Sequence, residues 1–258
     1  MNLVQGILLG FLQGVTEWLP ISSSGQSMLV LINLLQVTPD EAFSISVALH
    51  LGSLFAVLFY FRKRLVHLAK DKELLQFLVV ATAASALIGL PAYLGLRNLF
   101  SSASGEVATM FIGLMLIFTG LMLRKALGTH RKEYNLGDAF FTGAAQGAAV
   151  LPGVSRSGTT ITALLLRGVE QETALSLSFI MAIPAIMGLF VLDFAETGLT
   201  ALTAPLLAGM ATSFLVSLAT MHYLMSLSRR IDFSGFALAI GSIAFFVPLA
   251  IIAIEWAL

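Results

Sequence analysis

Six stretches of this chain carry no Lys, Arg, Asp or Glu: residues 42–61, 74–96, 107–123, 173–192, 197–228 and 233–254. A helix needs about 20 predominantly apolar residues to cross the hydrocarbon core of a bilayer, and each stretch is near that length or beyond it. Composition agrees, since 58% of the 258 residues are hydrophobic and 11% are charged, against about 25% charged in a soluble domain. A soluble fold could not hide this much apolar surface. The formal net charge is zero, so no basic field attracts nucleic acid. Cysteine is absent, which removes disulfides and thiolate metal sites without assigning a compartment. The N-terminus lacks a basic n-region and reaches Glu17 and a serine cluster instead. It does not read as a signal peptide and is expected to be retained.

Two further apolar regions behave differently. Residues 2–35 are interrupted by Glu17, Pro20 and Ser22-Ser23-Ser24-Gly25. Residues 139–166 are interrupted by Pro152-Gly153, Ser155, Arg156, Ser157 and Gly158. A helical run of about 15 residues reaches only ~22 Å, short of a ~30 Å hydrocarbon core. Each region is therefore expected to dip to mid-membrane and return as a re-entrant helical hairpin. Non-helical backbone at that depth is tolerated only where protein or a water-filled cavity surrounds it.

Basic residues set the orientation. Arg62, Lys63, Arg64, Lys70 and Lys72 fall in one interval, Arg124, Lys125, Arg131 and Lys132 in a second, Arg229 and Arg230 in a third. All three are expected on the cytoplasmic side. The intervals around Arg97 to Glu106 and Asp193 to Glu196 are poor in basic residues and are expected as outer loops. Each half then holds one hairpin and three spanning helices. Three is odd, so the halves have opposite orientation, an inverted-topology repeat. The expectation is an all-α polytopic membrane protein with six transmembrane helices and two re-entrant hairpins. It forms a single membrane domain over 1–258, with repeat one at about 1–125 and repeat two at about 134–258. The breaks support the repeat: Gln13-Gly14 stands as far from Gly25 as Gln146-Gly147 does from Gly158, and Leu-Pro and Ser-x-Ser-Gly recur in both.

Each break ends in Ser-x-Ser-Gly ahead of an apolar helical run, so each presents a helix N-terminus with free amides and a positive dipole end. Two such ends meeting mid-membrane make a site for a phosphate group. Arg156 adds a charged planar fork suited to phosphate oxygens. Helix capping alone explains the serines, but it does not explain an arginine at membrane depth. Glu17 and Arg156 are the charges inside the two regions, and intramembrane ionisable groups point to function unless they form a buried structural ion pair. A carboxylate beside an anion site suggests a bridging divalent cation, Mg²⁺ or Ca²⁺. Gln13, four residues before Glu17, shares its helix face as a further ligand or a hydrogen-bond partner. His50 lies mid-helix as an acid–base group or as an interhelical hydrogen-bonding residue. His222 has a weaker case, and His67 and His130 lie in basic loops.

At these breaks the chain resembles the undecaprenyl-diphosphate phosphatase family, also called the bacitracin-resistance family. The family motif [E/Q]-x-x-x-E corresponds to Gln13 and Glu17, followed by Pro20-Ile21-Ser22-Ser23-Ser24-Gly25. Its second signature, P-G-x-S-R-S-x-x-T, matches at every fixed position from Pro152 to Thr160. The resemblance implies a divalent-cation-dependent enzyme of the plasma membrane that cleaves a C55-type polyprenyl diphosphate on the outer side. Its place would be in lipid-carrier recycling for cell-wall synthesis. Glu17 would bind metal or act as acid–base, and Ser23 would be the nucleophile with Ser22 and Ser24 beside it. Ser155, Arg156, Ser157 and Thr160 would hold the diphosphate. One position departs: where the family typically has a histidine, this chain has Gln26, which binds but cannot shuttle a proton. The base then falls to Glu17 or His50, or a metal-bound water attacks instead. The partners expected are the polyprenyl diphosphate lipid and the bilayer, with a homodimer left open. The rival reading is a carrier or flippase for a phosphorylated lipid or anion, which would use the same arginine and helix ends without needing Glu17 and the serine cluster.

Overall fold

The computed structural model describes residues 1–123, 131–198, 203–228 and 234–257. Arg124, Lys125, His130, Arg229 and Arg230 lie outside the described residues, as does the side chain of His222. The described chain is helical. In order the helices are α1 (Leu3–Thr16), α2 (Ser23–Asn33), α3 (Pro39–Tyr60), α4 (Arg62–Val66), α5 (Lys72–Phe100), α6 (Gly105–Leu123), α7 (Leu136–Ala148), α8 (Arg156–Leu166), α9 (Gln171–Thr197), α10 (Ala204–Ser228) and α11 (Ser234–Ala257). Six of them, α3, α5, α6, α9, α10 and α11, are long and apolar enough to cross a membrane. The chain is a multi-pass membrane protein. Large apolar side chains face outward along these helices, such as Leu87 and Leu94 on α5, Phe118 on α6 and Phe246 on α11. In water that surface would aggregate; in lipid it is the ordinary exterior.

The four short helices α1, α2, α7 and α8 begin with matched devices. Asn2 and Gln5 form a reciprocal capping box at the start of α1, and Asn135 and Asp138 form another at the start of α7. Each satisfies two amide donors that a helix start leaves unpaired. Ser22 caps α2 by accepting from the Gly25 amide, and Ser155 caps α8 by accepting from the Gly158 amide. The same side-chain chemistry thus ends the breaks at 17–22 and 149–155.

Packing is close where glycines line a helix face. A Cβ on Gly6, Gly10 or Gly14 of α1 would overlap Pro205, Gly209 or Val216 of α10. On α7, one on Gly143 or Gly147 would overlap α5 at Ala81 or at Ser85 and Ile88. Small residues let backbones approach in a solvent where burial of apolar surface gives no drive. Ser53 on α3 and Ser213 and Ser217 on α10 add a buried hydroxyl cluster, with oxygens 3.1 and 3.2 Å apart. Helix α3 lies along α10, whereas α5 and α9 scarcely touch. Pro91 and Pro184 stand inside those two helices, where each removes a backbone donor.

The intervals expected as outer loops are helical at their charged residues. Helix α5 continues past Arg97 to Phe100, and α9 continues through Asp193 and Glu196. The reason is mutual neutralisation. Arg97 lies 2.6 Å from Asp40, 2.9 Å from Glu196 and 3.7 Å from Asp193, so the last turns carry their charges as one cluster. The basic interval after α3 likewise folds, into α4 and a 3₁₀ turn over Leu68–Lys70.

Candidate active site

Both breaks converge on one cavity of about 610 Å³. The residues at the breaks are stitched across: the Gly153 amide donates to Ser22 Oγ at 3.1 Å, and Ser157 Oγ donates to the Leu19 carbonyl at 3.1 Å. Gly153 holds a φ of 96°, a left-handed conformation that glycine adopts without steric cost. Ser22, with φ 59°, is in the same region without that freedom. Non-glycine strain of this kind costs on the order of 1–3 kcal/mol and survives only where the surroundings enforce it. Its immediate neighbour is Ser23, the first residue of α2.

Ser23 Oγ lies 2.6 Å from Glu17 Oε2, to which it donates, and 3.2 Å from His50 Nε2. Glu17 Oε1 accepts from Arg156 Nη2 at 2.6 Å, and Gln13 Nε2 donates to Oε2 at 3.0 Å. His50 Nε2 is 3.3 Å from the same Oε2. The His50 Nδ1 faces the Ser46 carbonyl at 2.6 Å. A carbonyl only accepts, so Nδ1 carries a hydrogen and Nε2 is the ring nitrogen turned to Ser23 and Glu17; in the neutral ring Nε2 is bare and can accept the Ser23 hydrogen once that hydrogen swings from Glu17. Arg156 is held from behind by the Ser178 carbonyl at 3.0 Å. Trp18, fully buried, packs edge-on against Phe179 at 5.3 Å and fixes the first break against α9. A hydroxyl, an imidazole, a carboxylate and a guanidinium from four different helices or turns meet at one point.

The comparisons with known proteins decide what this constellation belongs to. Residues 6–245 match the sequence profile of the family described as bacitracin resistance protein BacA. The chain belongs to the bacitracin-resistance family. A relative from Methanothrix thermoacetophila named undecaprenyl-diphosphatase is 44% identical over 247 residues, covering 94% of this chain and 96% of the relative. One of the same name from Methanopyrus kandleri is 41% identical and covers 97% of both chains. Another, from the organism Syntrophotalea carbinolica, is 36% identical over 92% of this chain and 94% of its own.

The candidate site residues named from the sequence separate into three groups in space. Glu17, Ser22, Ser23, Ser24, His50, Ser155, Arg156 and Ser157 all line the cavity. Gln13 sits fully buried behind Glu17 as its hydrogen-bond partner. Thr160 and Gln26 do not line the cavity. Thr160 is fully buried and tied to Ser178 Oγ at 2.7 Å, and the Gln26 amide donates to the Ile21 carbonyl at 3.1 Å. Both brace the breaks. Sequence reading missed Ser46 and Ser178, which act through backbone carbonyls and so leave no side-chain signature. Ser46 does stand one helical turn before His50, the spacing at which a ring nitrogen reaches a main-chain oxygen.

The family implies a divalent cation, and the donor set does not form a cage for one. Among the described residues no group of three or more His, Asp or Glu side chains is disposed to hold a metal. Glu17 is the one carboxylate among the cavity-lining residues, and both its oxygens are already engaged.

Proposed function

We propose that this chain is a membrane phosphatase that hydrolyses undecaprenyl diphosphate to the monophosphate and inorganic phosphate, with Ser23 as nucleophile. The observation that carries the reading is the Ser23 hydroxyl held between the Glu17 carboxylate and the bare Nε2 of His50, with Arg156 on the same carboxylate. The two helix N-termini and the Arg156 fork would hold the terminal phosphoryl oxygens and stabilise charge as it spreads over them. His50 would take the Ser23 proton as the oxygen attacks phosphorus and the bridging P–O bond breaks. The electron pair leaves with the undecaprenyl phosphate, which receives that proton. His50 would then take a proton from water as that water attacks the phosphoserine phosphorus, and return it to Ser23 Oγ as the Oγ–P bond breaks, releasing inorganic phosphate and restoring the free hydroxyl. Glu17, anchored by Arg156 and Gln13, stays anionic and steadies the imidazolium. The cavity wall is apolar away from the breaks, with Phe43, Val47, Leu90 and Leu189 among its lining, which suits the first isoprene units of the tail.

The same proposal extends to architecture. We read α1–α2 and α7–α8 as re-entrant hairpins and the halves as an inverted repeat. Support comes from the matched caps, and from α1 lying along α10 as α7 lies along α5. The cavity wall runs up α5 and α9 toward Tyr93 and Leu192, near Arg97 and Asp193, on the side poor in basic residues. That supports a site open to the outer face of the plasma membrane.

The test is phosphate release from undecaprenyl diphosphate by purified protein in detergent, with Ser23→Ala and Arg156→Ala alongside. Release by the native protein that both variants lose is the expected result. Native protein that binds the lipid and releases nothing would sink the enzyme reading and leave a carrier, for which the Ser23–His50 contact has no use.

A further inference from the structure

Several glycines of this chain are explained by what they touch. Gly52 on α3 is pressed against α10, where a Cβ would stand 2.2 Å from the Met210 carbonyl oxygen, and Gly143 on α7 meets the Ala81 carbonyl of α5 at the same 2.2 Å. Close helix approach accounts for both. Gly188 on α9 is different. A Cβ there would meet no atom within 4 Å. The residue sits inside a helix, where glycine is less stable than alanine. Neither packing nor an unusual backbone angle calls for it.

Gly188 also stands at the mouth of the cavity. Ala86 and Leu90 on α5 and Met187, Gly188 and Val191 on α9 line the cavity and are exposed at the same time. None is polar, and all lie in helices long and apolar enough to span a membrane. The mouth therefore opens sideways into lipid, between two helices that scarcely touch. Gly95 on α5 is equally open, but it faces outward and lies off the cavity. The same cavity holds Ser23 and Arg156 at the breaks, so a lipid with its head there has a way out for its tail past Gly188. An isoprenoid tail carries a methyl branch on every unit and needs a wider passage than a straight chain.

We propose that Gly188 is a specificity-determining position for the lipid tail. The branched isoprenoid chain leaves the cavity between α5 and α9 and crosses α9 at Gly188, where any side chain would narrow the passage. The glycine thus holds space for an occupant rather than for a neighbouring helix. This rests on the phosphatase reading, which places the diphosphate head at the breaks.

The experiment measures binding of three probes that cannot be hydrolysed at the bridge to the purified full chain in detergent, by titration calorimetry. They are methylenediphosphonate, which is the head alone, its farnesyl ester, and its dodecyl ester, a straight chain of the same length. Gly188→Phe should weaken the farnesyl probe by about tenfold or more and leave the head alone unchanged. Gly188→Ala should weaken the farnesyl probe several-fold, spare the dodecyl probe and unfold at no lower temperature than the native chain. Gly95→Phe, equal in bulk but off the cavity, should change none of the three. Undiminished farnesyl binding in Gly188→Phe would overturn the inference. So would equal loss of the head alone, equal loss of both esters in Gly188→Ala, or the same losses in Gly95→Phe. Phosphate release from undecaprenyl diphosphate is measured in parallel. Native protein that binds the farnesyl probe and releases nothing refutes the phosphatase reading, whereas release with tail binding indifferent to Gly188 refutes only the tail path.

Discussion

The two breaks share a backbone plan and divide the chemistry between them. Ser22 and Ser155 each cap a helix that begins with the next residue. In the first break that next residue is Ser23; in the second it is Arg156. The proposed nucleophile and the fixed positive charge therefore occupy the same station on two copies of one device. They differ in strain as well. Ser22 is left-handed at φ 59°, while Ser155 is extended at φ −69°. In the second break the left-handed position falls on Gly153, where it costs little. A helix N-terminus is a general anion site; what sets the first of the pair apart is the hydroxyl, with an imidazole and a carboxylate brought to it.

The comparison breaks hardest at Arg156. Arg156→Ala removes the phosphate fork and strands Glu17, which is 5% exposed. Catalytic efficiency should fall by at least ~10³, and stability by about 3–5 kcal/mol because a buried charge is left unpaired. Steady-state kinetics with thermal unfolding in detergent reads both, and full stability in the variant would contradict the pairing. Ser23→Ala should lose comparable activity with a smaller change in stability, and no phosphoserine should be trapped on rapid quench. Next is His50→Gln, which keeps a hydrogen-bonding side chain and loses the base. A fall of ~10²–10⁴ in kcat with KM little changed is expected, and unchanged kcat would return the proton to Glu17.

Gly153→Ala tests the backbone difference. A side chain there is strained at φ 96° and crowds the Ile112 carbonyl. A loss of about 1–3 kcal/mol is expected, and a neutral result would mean that the tip yields. The smallest effect lies at the start of α7, outside the six spanning helices. Burial pushes the Asp138 carboxyl up, but hydrogen bonds from Arg167 and Arg131 prevail and hold it below its ordinary value. A group depressed in the folded state stabilises above its unfolded pKa, near 3.9, and loses that contribution as pH falls toward the folded value. Asp138→Asn should flatten the stability profile below about pH 4 and leave it parallel to the native curve above; an unaltered acid limb would rule the group out.

Part of the candidate site was legible because its residues are conspicuous in an apolar chain. Glu17 and Arg156 stand out as charges inside otherwise apolar stretches, and Ser-x-Ser-Gly announces helix starts by capping chemistry alone. His50 was legible as a candidate acid–base group, but its approach to Ser23 and the orientation of its ring were not. That depended on the Ser46 carbonyl orienting the ring, and carbonyls are present at every residue. The last turns of α5 and α9 were read as loops because Arg97, Asp193 and Glu196 look like solvated charges until they are seen to neutralise one another.

The amino-acid sequence by itself determined the solvent, the six spanning helices and the positions of the two breaks. Those follow from local quantities: apolar run length, helix caps and the cost of charge in lipid. Only the tertiary structure decided which groups meet. It set Glu17 against Arg156 across 139 residues, brought His50 from a separate helix to Ser23, and moved Gln26 and Thr160 out of the cavity. Such contacts depend on close helix approach at small residues and on the gap left where α5 and α9 part. No local property of the chain carries that information.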